Sequence, residues 1–196
     1  MTGRGRLDEY RRRRDFDSSA EPAGKATSGP GHRFVIQHHA ASSDHYDFRL
    51  EVDGVLKSWA VPKGPSTDPR DKRLAMPTED HPLEYAGFEG VIPAGEYGGG
   101  TVMVWDDGEY ENTSHRDGEP VPLAEALDRG HATFVLHGQK LTGGYALNRM
   151  RRDGRESWLL VKERDSDADA RRKPVRSQPR SVSTGRTMNQ IRTDGT

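Results

Sequence analysis

The sequence predicts an all-β protein, an antiparallel barrel or sandwich of short strands, and three observations carry that expectation. Apolar residues fall in short runs bounded by turn residues, several of them alternating apolar with polar. Asp-Gly pairs stand at Asp53-Gly54, Asp107-Gly108 and Asp153-Gly154. Asp-Gly is a favoured two-residue hairpin turn, because Asp tolerates positive φ and Gly adopts it freely. Only one segment, PLAEALDRG ending at Gly130, pairs helical spacing with a stop signal. Many short antiparallel strands in one domain pack as a closed barrel or as two layers.

Taken in order, residues 1–33 read as a basic arm, Gly-, Ser- and Pro-rich from residue 17 onward. RFVIQ is the first strand. HYDFRLEV turns at Asp53-Gly54 into VLKSWAVP. TVMVW turns at Asp107-Gly108 into EYE. ATFVLHG returns as YALNRM, and Asp153-Gly154 leads into SWLLVKE. Residues 34–164 therefore form the barrel unit. Residues 165–196 hold one Ile, two Val and one Met among polar residues, too little apolar surface to offset ordering entropy, and are expected to be a disordered basic tail.

Composition narrows the function classes. Hydrophobic residues are 31% of the 196, and no apolar run approaches membrane-spanning length. The basic N-terminus lacks an apolar stretch, so a secretory signal is not expected and a cytoplasmic protein is. Cys is absent, which excludes disulfides, thiolate metal sites and a cysteine nucleophile. The net charge of -1 conceals an asymmetry: residues 1–33 carry 8 basic against 5 acidic groups, residues 165–196 carry 7 against 4, and the middle carries 15 against 22. Basic ends suit a polyanionic partner.

The first hairpin carries the chemistry. In a strand alternate residues share a face, so His45, Asp47 and Arg49 point one way and Tyr46, Phe48 and Leu50 the other. A two-residue turn at Asp53-Gly54 places Arg49 opposite Ser58, Asp47 opposite Ala60 and Phe48 opposite Trp59. Aromatic pairs hold one face, and small residues leave room on the polar one. His39, at the end of the first strand, is positioned to be a third ligand. Two imidazoles and a carboxylate suit Mn, Fe or Zn. His81 follows Glu79 and Asp80, whose charges would hold it protonated, and Lys63, Arg73 and Arg49 are candidate phosphate contacts. The glycines of Gly95–Thr101 have no following Lys and open a strand, which excludes a P-loop and points to a tight turn.

Several longer motifs then appear in order: His39–Arg49 (HAASSDHYDFR), Leu56–Pro65 (LKSWAVPKGP), Glu79–Tyr85 (EDHPLEY), Phe88–Pro93 (FEGVIP) and Gly95–Gly98 (GEYG). With Arg14-Asp15-Phe16 and Glu21-Pro22 on the arm, residues 7–164 resemble the 3′-phosphoesterase domain of bacterial DNA ligase D, and a stand-alone bacterial or archaeal module is expected. Ser183–Met188 resembles the linker preceding the ligase module in multidomain members. The resemblance implies a small closed β-barrel and a manganese-dependent phosphodiesterase and phosphomonoesterase. Such an enzyme removes a 3′-terminal ribonucleoside and then the 3′-phosphate. It implies His39, His45 and Asp47 as metal ligands, Arg49 and His81 at the phosphate and in catalysis, and Lys63, Arg73, Glu79, Tyr85, Arg14, Asp15 and Glu21 in support. The implied cofactor is Mn2+, with other divalent transition metals possible. The implied partners are DNA or DNA/RNA primer-template 3′ ends, together with a separate ATP-dependent DNA ligase, a polymerase and a Ku-type end-binding protein. No membrane is involved, and a monomer is expected.

Two positions depart from the family pattern. His38 stands where Lys is usual, which leaves the first ligand ambiguous, and Asp44 stands where an apolar residue is usual. No Lys-x-Asp-Gly nucleotidyl-transfer motif occurs, so sealing nicks is not expected. Two other readings compete. One is a barrel iron oxygenase with His131 or His137 as the distal ligand; the other is a non-catalytic end-binding module that recruits a ligase.

Overall fold

The computed structural model describes residues 5–25, 31–152 and 154–195. After a 3-10 turn at Gly5–Leu7 and helix α1 (Asp8–Arg12) come strands β1 (Arg33–Ala40), β2 (Asp44–Val52), β3 (Val55–Val61) and β4 (Arg73–His81). A 3-10 segment Leu83–Gly87 leads to β5 (Gly90–Ile92), β6 (Gly100–Asn112), and the small hairpin β7 (His115–Arg116) and β8 (Glu119–Pro120). Helix α2 (Leu123–Arg129), β9 (His131–Gly138), β10 (Thr142–Arg152) and β11 (Arg155–Lys162) follow, then α3 (Pro174–Ser177) and α4 (Met188–Asp194). The strand order β1-β2-β3-β4-β11-β10-β9-β6 closes through pairing of β6 with β1, and β5 rides on β6. The fold is thus an eight-stranded closed antiparallel barrel. Among the described residues no helix is long and apolar enough to cross a membrane.

The β2–β3 register is the one the sequence predicts. Val52 faces Val55, Arg49 faces Ser58, Asp47 faces Ala60 and Phe48 faces Trp59, with Asp53 at φ 50 and Gly54 at φ 82. The inward residues Tyr46, Phe48, Leu50 and Val52 join Phe34, Trp59, Trp105, Phe134 and Tyr145 in the barrel core. The outward face of β1, β3 and β6 lies under a second apolar cluster, in which Tyr10, Tyr85 and Phe88 pack with Val35, Leu56 and Val104. Helix α2 ends at Gly130, φ 90, as its sequence predicts.

One turn expectation is corrected. Asp107-Gly108 is not a turn, since β6 runs unbroken through it. Gly108 lies between β1 and β9, where a Cβ would sit 2.2 Å from the His137 carbonyl oxygen. Its glycine serves close strand approach, not positive φ. The third pair is half visible: Arg152 pairs with Arg155 and Gly154 has φ 74, but Asp153 lies outside the described residues.

The structure lays residues 165–195, expected as a tail, along the barrel. Their few apolar groups are all used: Val175 and Met188 pack against the core, and Ile191 is 1% exposed within it. Backbone carbonyls of the segment accept hydrogen bonds from the barrel, Gln178 from Trp105 Nε1 at 2.9 Å and Asp169 from Thr67 Oγ1 at 2.8 Å. Thr187 and Gln190 form a reciprocal capping box at the start of α4. Composition averages over a segment, whereas docking needs only a few well-placed anchors.

Candidate metal centre

Strands β1 and β2 pair so that His39 lies directly opposite His45, with Asp47 beside them on the same outward face. Ligand atoms of the three residues lie within 4.8 Å of one another, and no other such His/Asp/Glu group occurs among the described residues. His39 Nδ1 and His45 Nε2 each stand 3.5 Å from a different Asp47 oxygen. Metal–ligand bonds of roughly 2.1 Å meeting at tetrahedral to octahedral angles separate ligand atoms by about 3.0–3.4 Å, close to both His–Asp47 separations.

Backbone carbonyls orient both rings. His39 Nε2 donates to the Gly98 carbonyl at 2.8 Å, and His45 Nδ1 donates to the Ser43 carbonyl at 3.0 Å. Each ring is thereby held in the tautomer that turns its lone pair toward Asp47, the usual arrangement around a bound metal. The Gly95–Gly100 loop that supplies the Gly98 carbonyl is the tight turn expected: Gly100, at φ 146, would place a Cβ 2.2 Å from the Ala40 carbonyl oxygen. His38 points to the other side, stacked on Tyr46 at 4.3 Å and bonded to Asp44 at 2.7 Å. That pairing engages both His38 and Asp44 away from the candidate group, which contains His39.

Electrostatics match a cation site. Burial opposes ionisation of Asp47, but Arg49 and the two histidines outweigh it and hold its pKa well below the usual carboxylate value. Burial likewise opposes charging of His45, yet Asp47 raises its pKa above 6.5.

Beside the triad, Arg49 donates to Gln37 Oε1, Ser58 Oγ and Asp47 Oδ2 at 2.8, 2.8 and 3.1 Å, and its guanidinium lies over the Tyr85 ring. The arm contributes Arg14, whose side chain is 5% exposed. It donates to Glu21 Oε1 at 2.9 Å, to Glu79 Oε1 at 3.0 Å and to His81 Nε2 at 3.2 Å. Tyr85 Oη donates to the same Glu21 oxygen at 3.0 Å. Arg14, Arg49, Glu79, His81 and Tyr85 thus join the three metal-ligand candidates around one cleft of about 250 Å³, with Glu21 bracing it from behind. Asp15 does not line the cleft. Its carbonyl and carboxylate accept backbone N–H bonds from Asp17, Ser18 and Ser19, shaping the turn that returns the arm to Glu21.

His81 corrects its sequence expectation. Desolvation, then Arg49 and Arg14, push its pKa well below 6.5, so it is neutral rather than protonated. The neighbouring carboxylates are spent elsewhere, Glu79 on Arg14 and Asp80 on Lys57. Glu79 offers His81 only its backbone carbonyl, which accepts from Nδ1 at 2.9 Å.

Lys63 and Arg73 also lie elsewhere: they line a separate cavity with Arg172, Lys173 and Arg176. His131 bonds Asn148 and His137 stands near Glu111, so neither completes an oxygenase triad with His45 and Asp47. Sequence reasoning missed Gln37, Tyr10, Tyr97 and Thr78. Tyr97 and Thr78 line the cleft, and the Thr78 hydroxyl is buried without a partner. It also missed a bulge in β4: Leu56 pairs with His81 but Ser58 with Thr78, so β4 carries one extra residue. The extra residue keeps His81 on the outward face, where strict alternation from Thr78 would turn it into the barrel.

With that geometry established, the relatives are informative. Residues 37–149 match the family model of the DNA Ligase D 3′-phosphoesterase domain. The chain belongs to that family. It is 47% identical over 191 residues to the multifunctional non-homologous end joining protein LigD of Pseudomonas aeruginosa, covering 93% of this chain and 22% of that protein. It is 48% identical over 156 residues to the multifunctional non-homologous end joining DNA repair protein LigD of Mycobacterium tuberculosis, covering 79% and 19%. To the LigD of Mycolicibacterium smegmatis it is 42% identical over 167 residues, covering 82% and 21%. The chain therefore spans about a fifth of the length of these curated relatives.

Proposed function

We propose that this member of the 3′-phosphoesterase family is a metal-dependent hydrolase that heals 3′ ends of DNA or DNA/RNA primer strands during end joining. In this reading it removes a 3′-terminal ribonucleoside, then the remaining 3′-phosphate, and leaves a 3′-OH. The observation that carries it is the His39–His45–Asp47 group with both imidazole tautomers preset, sharing one cleft with two buried guanidinium groups.

A divalent ion on these three residues, preferably Mn2+, would act as a Lewis acid that offsets charge on a phosphate oxygen. Arg49 is fixed by three hydrogen bonds, so it can meet a second oxygen without reorganising. Arg14 stands by for the third, and Glu21 and Glu79 hold its orientation. His81 enters neutral with Nε2 as an acceptor, which suits it to take a proton from an attacking hydroxyl or water. Tyr85 braces Arg49 and Glu21. Lys63 and Arg73 act away from the reacting phosphate, and Asp15 acts through the shape of the arm. A separate ATP-dependent ligase, a polymerase and a Ku-type end-binding protein would precede or follow this step in a cytoplasmic repair pathway.

A divalent-metal panel on a primer-template ending in a 3′-ribonucleotide, then on one ending in a 3′-phosphate, tests the reading. Release of nucleoside and then of phosphate with Mn2+ is expected. Tight binding of ends without turnover in any metal would instead establish a non-catalytic end-binding module.

A further inference from the structure

Away from the metal centre, Lys63, Arg73, Arg172, Lys173 and Arg176 surround an open cavity of about 540 Å³. Two come from the loop and strand after β3, and three from the chain that follows the barrel. Carboxylates balance them only in part: Asp71 takes Arg73 at 3.2 Å and also accepts from Ser66 at 2.6 Å, Asp68 is paired with Arg70 and lies within electrostatic reach of Lys173, and Asp169 lies within reach of Arg172. Arg172 is structural, donating to the Lys140 carbonyl and Gln178 Oε1. The Lys63 and Arg176 side chains have no hydrogen-bond or ion-pair partner among the described residues. Arg73 Nε is buried with no acceptor. Like charges gathered this way repel one another, and a polyanion relieves the repulsion.

We propose that this cavity is a second phosphate-binding site, and that its ligand is the sugar–phosphate backbone of the duplex whose 3′ end occupies the metal cleft. Strand β4 links the two places, with Arg73 at its start and His81 at its end. Eight residues of strand span about 26 Å at roughly 3.3 Å each. Phosphates of one duplex strand advance about 3.4 Å along the axis, so some seven or eight base pairs reach from the cleft to the cavity. A duplex is stiff over that length and can bridge two fixed points. The proposal rests on the proposed function for its substrate class, and it turns Lys63 and Arg73 from reacting-phosphate contacts into duplex contacts.

The test uses the full chain and the double variant Lys173→Ala/Arg176→Ala, whose side chains are exposed and outside the metal cleft. Binding is followed by fluorescence anisotropy across a salt series, on a primer-template of about 20 base pairs and on a hairpin of about five, both with the same 3′ end. The long duplex should bind the variant on the order of tenfold more weakly, with a salt slope reduced by about two. The short hairpin should bind both proteins alike. Equal binding of the long duplex by the two proteins, or an equal loss on both lengths, overturns the proposal. So does a wild-type protein that binds no duplex. Binding is read without turnover, so a wild-type protein that shows the length effect but releases no nucleoside counts against the proposed reaction alone.

Discussion

His45 donates from Nδ1 to Ser43 and turns Nε2 toward Asp47, so a proton and a metal ion compete for one lone pair. Asp47 raises the His45 pKa above 6.5 against the pull of burial. Metal affinity should therefore fall as pH drops through that raised value. Calorimetric titration of Mn2+ at several pH values checks this, and a pH-independent affinity would remove His45 from the ligand set. His45→Ala should abolish Mn-dependent 3′-phosphate release, and full activity would reject the triad. In the metal-free protein, a raised histidine pKa adds stability that is complete below the unfolded value and is lost as pH rises through the folded one. His81 works in the opposite sense. Its depressed pKa means that the unfolded chain binds a proton the folded one refuses, so stability is lost as pH falls below 6.5. Replacing His81 with Gln should flatten this acid loss, measured by urea unfolding at roughly pH 5 and pH 7. An unchanged profile would show that the His81 pKa is not depressed by folding.

At the scale of elements, the arm and the C-terminal segment do different work. The arm completes the cleft through Arg14 and Glu21, whose side chains are 5% and 1% exposed. Glu21→Ala would remove one of the two carboxylates paired with buried Arg14 and leave Glu79, so the cost should fall below the roughly 3–5 kcal/mol of a fully uncompensated buried charge. Thermal unfolding of that variant should shift accordingly, together with a loss of activity, because Arg14 also bonds His81. The C-terminal segment is anchored by Ile191 in the barrel core. Ile191→Ala should destabilise by about 2–5 kcal/mol, and unfolding at wild-type denaturant concentration would show that the segment is not part of the cooperative unit. Signals for these elements were present but weak. The capping pair Thr187 and Gln190 was readable, yet within the helix only Met188 and Ile191 are apolar. The Arg14–Glu21 contact spans a loop and has no periodicity to announce it.

At the scale of the molecule, a divalent ion that binds only the folded barrel should stabilise it by mass action, by about 2.7 kcal/mol at a hundredfold excess over Kd. A rise in Tm with Mn2+ that disappears in His45→Ala is the expected result, and a rise that survives would place the ion elsewhere. The hairpin register, the shared strand face of His45 and Asp47 and the α2 stop at Gly130 could be read along the chain. Each depends on alternation or on φ, which are properties of neighbouring residues. Other features needed the closed barrel. The β4 bulge that keeps His81 outward, the neutral state of His81, and the departure of Lys63 and Arg73 to a second cavity all depend on residues far apart in the chain. Gly108 makes the same point, because a glycine that mimics a turn in the chain is there to let three strands pass. Local chemistry selects which side chains share a strand face. Desolvation and charge at a site are sums over everything packed around it, and those sums exist only once the barrel has closed and its two ends have wrapped onto it.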